Sequence, residues 1–482
     1  MNGRGCLIVL AILILPACTV GPDYRAPQRN ASDQWASLAG EQAASAQIDT
    51  AWWTIFADPQ LEGYLADAVR QNHQLEMARA GVQRAVALRR ETGADFYPSV
   101  DTRLSHARAR TSGAASNDSS GPSYRSLYTA TLAASWEVDL FGGIQRAEQA
   151  ATARLLGAEE ERRAVLMAIL AETARGYLEI RGVQKQIAIT RKNIAVQEQT
   201  YRLVESLFTV GEASEFDLSR ARGQLQLTRS RLPDLDAALR TGIYRLAVLL
   251  GQPPESLLEE MLENRPLPAP PDRVPVGLRS EILQRRPDVR AAERALAAAV
   301  AEIGVATADL YPKFFLTGDL GRSARTLSDL LESASNVASL GQLLQWPVFA
   351  GGALQAKIAV REAEARQAAA AYEQTVLASL ADVESALIRY LQKLETRRRL
   401  GDAVQSRRQA VGLARALFNA GEENFLAVLD AERELIAAED DLVVSETNTV
   451  LHLVTLYTAL GGGWELFETE PIAVGEVQSG GE

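Results

Sequence analysis

An α+β fold built from an internal duplication, with pairs of strands alternating with very long helices, is predicted by three observations. The chain repeats itself at a spacing near 210 residues, each copy holds a proline-free stretch of 67 or 68 residues rich in helix formers, and a strict alternation of apolar and polar residues precedes the first such stretch.

The duplication is read from short matches. Tyr97-Pro98 recurs as Tyr311-Pro312, Trp136 with Gly142-Gly143 recurs as Trp346 with Gly351-Gly352, Phe208-x-x-Gly211-Glu212 recurs as Phe418-x-x-Gly421-Glu422, and Leu250-Gly251 recurs as Leu460-Gly461. The offsets run from 209 to 214, the drift that small loop insertions in one duplicated module produce. Two copies are too few for a solenoid.

The long helices follow from composition. Residues 144–210 and 353–420 contain no proline and are rich in Ala, Glu, Arg, Gln and Leu, residues that lose little side-chain freedom in a helix. At 1.5 Å per residue, 67 residues make a rod of about 100 Å. Ile180, Ile187, Ile194, Tyr201 and Phe208 recur every seven residues, and Val376, Val383, Tyr390, Val404, Val411 and Phe418 recur in the same phase, with Arg397 the one polar interruption. A 3.5-residue repeat implies left-handed packing on neighbouring helices. The Ala-rich upstream halves would let helices approach closely. Gly211 and Gly421 would turn the chain into return helices over about 215–250 and 425–460. Further helices, over about 58–93 and 279–311, should stop at the Tyr-Pro pairs, because proline disfavours helix in the residue before it.

The strands follow from a period of two. From Tyr124 to Leu140 the even positions are mostly apolar and the odd ones mostly polar, the pattern of a strand with one apolar and one wet face. Its partner would be about 99–110, across the Ser/Gly/Asn/Asp-rich loop 111–123. The second hairpin reads more weakly, as Phe314, Leu316, Gly318 and Leu320 followed by about Asn336 to Phe349.

The N-terminus reads as an export signal. Arg4 precedes nine uncharged apolar residues, Leu7 to Leu15, too short to cross a bilayer, which takes roughly 20. Leu15-Pro16-Ala17-Cys18 resembles a bacterial lipobox, with Pro16 where a small residue is usual. It predicts a signal peptide over 1–17 and a covalent lipid on Cys18, the only cofactor-like group expected; the alternative is ordinary secretory cleavage near Ala17 that leaves Cys18 a free thiol. Cleavage removes Arg4 and no acid, so the net charge moves from −11 to −12. It also removes Cys6, so no intrachain disulfide remains. Thr19 follows Cys18, where an Asp would suggest retention in the inner membrane.

Several classes are excluded. The negative charge opposes nucleic-acid binding, and no later stretch has 18 uncharged apolar residues, so a bundle of membrane helices is ruled out. His73, His106 and His452 fall in different elements without metal-ligand spacing. No phosphate-binding loop, HExxH or GxSxG motif is present, so no enzyme and no metal site is expected. A β-barrel remains open, since its strands give only a weak hydropathy signal. Four strands from one chain do not close a membrane barrel, so several copies must pool them: two would give eight and three would give twelve.

The sequence as a whole resembles the outer-membrane factor family (TolC/OprM type), in its lipoprotein, NodT-like branch. The residues that carry the resemblance are Gly21-Pro22-Asp23-Tyr24, Trp52-Trp53-x-x-Phe56-x-Asp58-Pro59-x-Leu61, Arg285-Arg286-Pro287-Asp288 and Ile303-Gly304-x-Ala306. Trp346, where proline is common, departs from the pattern. The resemblance covers essentially all of the mature chain. It implies a homotrimer with a twelve-stranded outer-membrane barrel, continuous with a long periplasmic helical barrel. An equatorial band would come from the chain ends and the proline-rich linker. The boundaries expected are an extended lipidated segment 18–57, a first repeat 58–250 with its hairpin at about 98–141, a linker 251–278, a second repeat 279–461 with its hairpin at about 312–350, and a tail 462–482. The implied function is the exit duct of a tripartite efflux system. Its partners would be a periplasmic adaptor (membrane fusion protein), an inner-membrane pump of the RND type and outer-membrane lipid. The alternative is the outer-membrane component of a type I protein secretion system.

The resemblance also implies site residues. Asp430 and Arg433 would lie where the inner helices converge at the periplasmic mouth, held shut by their pairing, with Leu426 and Phe418 adding an apolar ring. The bland alternative is an ordinary exposed i,i+3 pair worth about 0.3–0.5 kcal/mol. Asp217 and Arg220, past the first turn, would be the neutral comparison. The turn residues Val210, Gly211, Ala213, Ser214, Gly421 and Glu422 would face the adaptor, or serve only the turns.

Overall fold

The computed structural model describes residues 19–27, 35–38, 50–111, 123–271, 282 and 284–468. The signal peptide, Cys18, the loop 112–122, most of 272–283 and the tail beyond 468 lie outside the described residues. In chain order the elements are α1 (Pro59–Gln71), α2 (His73–Ala94), β1 (Ser99–Thr111), β2 (Ser123–Val138), α3 (Gly143–Thr209), α4 (Glu215–Arg229), α5 (Arg231–Leu249), α6 (Leu258–Met261), α7 (Pro287–Ala308), β3 (Lys313–Ala324), β4 (Asn336–Gln345), α8 (Ala353–Asn419) and α9 (Phe425–Ala459). Both long helices, α3 and α8, are 67 residues. Among the described residues, no helix is long and apolar enough to cross a membrane.

Three elements differ from the sequence reading. The helix expected over 58–93 is two helices, because Asn72 takes an extended conformation and its side chain accepts from the Gln74 and Leu75 amides, capping α2. The first return helix breaks at Ser230, just before Pro233 in the first turn of α5. Proline lacks the amide needed to continue the ladder, but it is tolerated where helical amides are unpaired anyway. The fourth strand ends at Gln345 rather than Phe349.

The chain divides into two compact units, each drawing on both repeats: residues 1–28, 81–159 and 291–373 in one, and 29–80, 160–290 and 374–482 in the other. The first unit holds an antiparallel meander, β1-β2-β3-β4. Its register puts Leu104 beside Ala130, Leu132 beside Leu320, and Gly318 beside Leu340. Because side chains alternate, Val100, Leu104, Leu132, Leu316, Leu320, Leu340 and Leu344 share one face, and all are exposed. Asp101, Arg103, Thr131, Ser135, Glu137, Thr317, Asp319 and Ser339 share the other.

The two hairpins meet the helices in the same way. Trp136 Nε1 donates to the Phe96 carbonyl at 2.9 Å, and Trp346 Nε1 donates to the Leu310 carbonyl at 3.0 Å. Trp346, which departs from the family pattern, therefore repeats the tie made by Trp136. At the start of α3 the buried Arg146 gathers residues 20–23: its guanidinium donates to the Val20 carbonyl at 3.0 Å, the Gly21 carbonyl at 3.2 Å and Asp23 at 2.8 Å. Tyr24 donates to Glu293, and burial, with that carboxylate, pushes its hydroxyl up to about 12. The Gly-Pro-Asp-Tyr motif is thus a docking segment, and it sets Thr19, the neighbour of Cys18, against Gly142 where β2 gives way to α3.

The second unit has an apolar core that joins the chain ends: Trp52, Trp53, Phe56, Leu61 and Leu65 pack with Tyr177, Tyr390, Tyr457 and Trp464. Trp52 stacks on Tyr457 at 5.6 Å between centroids. Asp58 caps α1 and accepts from the Tyr177 hydroxyl at 2.6 Å. The fully buried Arg181 donates to Gln184 at 2.7 Å and the Glu263 carbonyl at 3.0 Å. Arg286 donates to Asp288 at 2.7 Å, Asp382 at 3.2 Å and the Ala459 carbonyl at 3.3 Å. The tryptophan-rich and Arg-Arg-Pro-Asp motifs are therefore structural ties.

The heptads diverge. In α8 Val376, Val383, Tyr390, Val404 and Val411 are all buried, as expected. In α3 the apolar phase holds at Ile180 and Ile187, then slips: Phe208 is exposed, and the buried positions become Asn193, Gln197, Thr200 and Val204. At Thr200 the physical reason is Glu432 of α9, which accepts from the Thr200 hydroxyl at 3.1 Å.

Candidate functional site

Both helical tips are built alike. At each, the amide three residues past the helix end bonds back five residues: Glu212 to the Leu207 carbonyl at 2.9 Å, and Glu422 to the Leu417 carbonyl at 3.0 Å. Gly211 and Gly421 adopt φ of 83° and 73°, the left-handed conformation this helix stop requires. Ser214 then caps α4 in a capping box with Asp217, and Asn424 caps α9.

An apolar plug lies inside the tips. Val204, Ala221, Phe425, Val428 and Leu429 are buried, with Tyr201, Ala213, Leu218 and Phe418 packed on them. Phe418 meets Phe425 edge to face at 5.5 Å. Phe418 thus packs within its own chain, while Leu426, expected beside it in an apolar ring, is half-buried and outside the plug. The turn residues also divide. Val210, Gly211, Gly421 and Glu422 are exposed, whereas Ala213 packs on the plug and the Ser214 hydroxyl is bound to Asp217 at 2.5 Å. Sequence reasoning missed Phe216, which is exposed in the first turn of α4, just past the first tip.

Asp430 and Arg433 lie close, at 3.7 Å, but the pair is not alone. Arg220, on α4 of the first repeat, reaches the same Asp430 oxygen at 3.8 Å. Asp430 is thus a half-exposed carboxylate between two arginines that links α9 to α4. Asp217 and Arg220 are accordingly no neutral comparison, since one caps α4 and the other belongs to this cluster.

Around this cluster α9 is cross-tied. The buried Glu432 takes Arg415 at 2.6 Å, and the buried Glu439 takes Arg408 at 2.7 Å. Arg231 pairs with Asp440 and Lys185 with Glu446. Arg408 and Arg415 are seven apart, as are Glu432 and Glu439, so an opposite-charge ladder on antiparallel helices was legible in the spacing. Burial raises Asp440 against the pull of Arg231.

In the first unit, a cleft of about 600 Å³ opens at the base of the sheet, lined by Tyr97, Glu137, Asp139, Asp309 and Lys313 among others. Lys313 lies 3.4 Å from Asp309 and 3.7 Å from Glu137, and Lys357 donates to Asp309 at 2.5 Å. Burial alone would raise Asp309, but the two lysines outweigh it and hold the carboxyl below its usual range. Among the described residues no group of His, Cys, Asp and Glu is arranged to hold a metal ion.

The family described as outer membrane efflux protein matches the chain twice, over residues 64–252 and 278–462. The chain belongs to this family. The two matched segments coincide with the two repeats. Similar proteins include the pyoverdine export outer membrane protein OpmQ of Pseudomonas putida, 32% identical over 95% of this chain and 97% of the relative. Another is the probable outer membrane lipoprotein SilC of Salmonella typhimurium, 30% identical over 95% of this chain and 98% of the relative. Among solved structures, the outer-membrane channel OprN superposes with a TM-score of 0.88 at 34% identity, covering 93% of this chain and all of that one. This outer membrane efflux protein is therefore an efflux channel component of the outer membrane with the expected α+β fold, in a family of channels rather than enzymes.

Proposed function

We propose that this outer membrane efflux protein works as a homotrimeric exit duct, lipid-anchored through Cys18. In that role it passes substrates from an inner-membrane RND-type pump and a periplasmic adaptor to the exterior. The observation that carries the reading is the open four-stranded sheet whose one face carries a band of exposed apolar side chains and, among the described residues, no carboxylate, joined to two 67-residue helices. In hydrocarbon, every unpaired backbone N–H or C=O on a strand edge costs on the order of several kcal/mol. Strands β1 and β4 are the free edges and run in opposite directions, so β4 of one copy continues antiparallel onto β1 of the next, and a closed ring results. Three copies give twelve strands.

At the tips, the reading assigns Asp430 to the closed mouth, with Arg433 and Arg220 as its partners. Single exposed pairs contribute little to folding. Three clusters around one constriction nevertheless bias a two-state opening by about a few kcal/mol. Val210, Phe216, Gly421 and Glu422 form the surface offered to the adaptor.

The experiment is to purify the chain from outer membranes in detergent and measure its mass by light scattering, with palmitate labelling of wild type and Cys18→Ser. A trimer in both, labelled only in the wild type, is expected, because the barrel supplies most of the membrane attachment. A monomer, or loss of all membrane association in Cys18→Ser, would contradict the barrel.

A further inference from the structure

The apolar face of the sheet changes character along β1. Val100 and Leu104 are followed on the same face by His106, Arg108 and Arg110, all exposed. Their register partners on β2 are Tyr128, Ser126 and Tyr124. The guanidinium groups of Arg108 and Arg110 lie 5.3 and 5.8 Å from the centre of the Tyr124 ring, and His106 stacks on Tyr128 at 4.3 Å. Arg322 lies on this face too, its guanidinium donating to the Leu330 carbonyl at 3.2 Å. Every acid of the four strands, Asp101, Glu137 and Asp319, lies on the opposite face. The apolar face therefore carries cations and aromatic rings but no carboxylate among the described residues.

The height of this cluster fits a membrane boundary. Ten residues of β2 separate Trp136 from Ser126, the partner of Arg108. At about 3.4 Å per residue and a strand tilt of about 40°, that is about 26 Å, against about 25 Å for the apolar band of a membrane barrel. Trp136 and Trp346 then mark one interface, and Tyr124 and Tyr128 the other. The latter is the end where the strands turn, away from the long helices, and so the exterior side. An arginine there is held over a tyrosine face with no hydrogen-bond partner among the described residues, and guanidinium matches phosphate in a two-point hydrogen bond.

We propose that Arg108 and Arg110, braced on Tyr124, form a docking site for the phosphate groups of an anionic glycolipid in the outer leaflet. The inference rests on the reading that this face of the sheet meets lipid. Six guanidinium groups per trimer would tie the barrel rim to the phosphate layer around it and hold the edge strand β1 at a fixed depth.

The test is native mass spectrometry of the full-length protein in detergent, titrated with bisphosphorylated lipid A, with dephosphorylated lipid A as comparison. Wild type, Arg108→Gln/Arg110→Gln and Arg108→Lys/Arg110→Lys are compared, each first checked for channel conductance in planar bilayers. The Gln pair should bind the phosphorylated lipid about tenfold more weakly or worse. The Lys pair should retain most of the binding, and all three should bind the dephosphorylated lipid alike and weakly. Equal binding of phosphorylated lipid by wild type and the Gln pair, with both conducting normally, overturns the lipid site and leaves the channel reading intact. Equal binding of both lipids by the wild type overturns it too, because acyl contacts would then suffice. A wild type that forms no conducting pore removes the channel reading and this inference together.

Discussion

The two repeats share a plan but not a stiffness. In the second, α8 buries its apolar heptad along most of its length and α9 returns unbroken for 35 residues. In the first, α3 exchanges apolar for polar buried positions past Ile187, and the return is split at Ser230. The starts of the long helices differ in the opposite sense. Gly142 is covered by Thr19, whereas Gly351 and Gly352 face open space. Duplication supplied two copies of one hairpin and one rod. Divergence made the first copy the one whose long helix holds residues 19–23 at its start and whose return helix is broken, and the second the one that stays continuous.

The largest way to break this contrast is a proline swap. Val443 is buried in α9 at the repeat position matching Pro233. Val443→Pro should cost about 3 kcal/mol or more, because it removes an interior helix bond and clashes with the preceding turn. Pro233→Ala should change stability by less than about 1 kcal/mol, since its site lies in a first turn. Denaturant titration of the purified protein checks both, and equal effects would erase the difference between the return helices.

Next is the clamp. Arg146→Ala leaves three acceptors on residues 20–23 without their donor. It should destabilise that segment by about 1–3 kcal/mol and expose it to hydrogen exchange and limited proteolysis. Gln355, near the start of α8, has no such load, so Gln355→Ala should leave the same peptides protected.

A smaller effect compares the heptads. Val404→Thr sets a hydroxyl into a buried apolar position and should cost about 1–3 kcal/mol. Ile194→Thr, at the matching half-buried position in α3, should cost under about 1 kcal/mol. Melting temperatures of the two variants rank them.

The smallest concerns pH. Burial, with Lys393, Arg389 and Arg175, holds His452 of α9 below its ordinary value. Above about pH 6.5, the unfolded value, both states are neutral and the full stability is present. As pH falls below it, the unfolded chain takes the proton first, and stability is lost until the folded imidazole also titrates. His452→Gln should flatten that decline in a stability series from pH 7.5 to 5.

Much of this was legible because it rests on local chemistry. Proline-free runs fixed both 67-residue helices, alternation located β2 and the loop before it located β1 as its partner, and Gly211 and Gly421 marked the tips. The break at Pro233 was also local, and a proline within a helical pattern was the signal for it. Arg220 at Asp430 was not legible, because a contact between repeats depends on how α4 lies beside α9. The slip of the α3 heptad likewise depends on which polar groups α9 presents. Arg146 offered no pattern at all: its role comes from a segment more than 120 residues away in sequence. Asp430 and Arg433 were found from the family motif, and Arg220 only from geometry.

The claim on which the rest turns is that Asp430 binds the return helices of both repeats together at a closed mouth. Single-channel conductance in planar bilayers, compared between wild type and Arg220→Ala/Arg433→Ala, tests it directly. With the Asp430 cluster unpaired, conductance should rise while trimer yield and melting temperature stay within error of the wild type, because exposed pairs contribute little to folding. The same conductance in the two proteins, both trimeric, would contradict it.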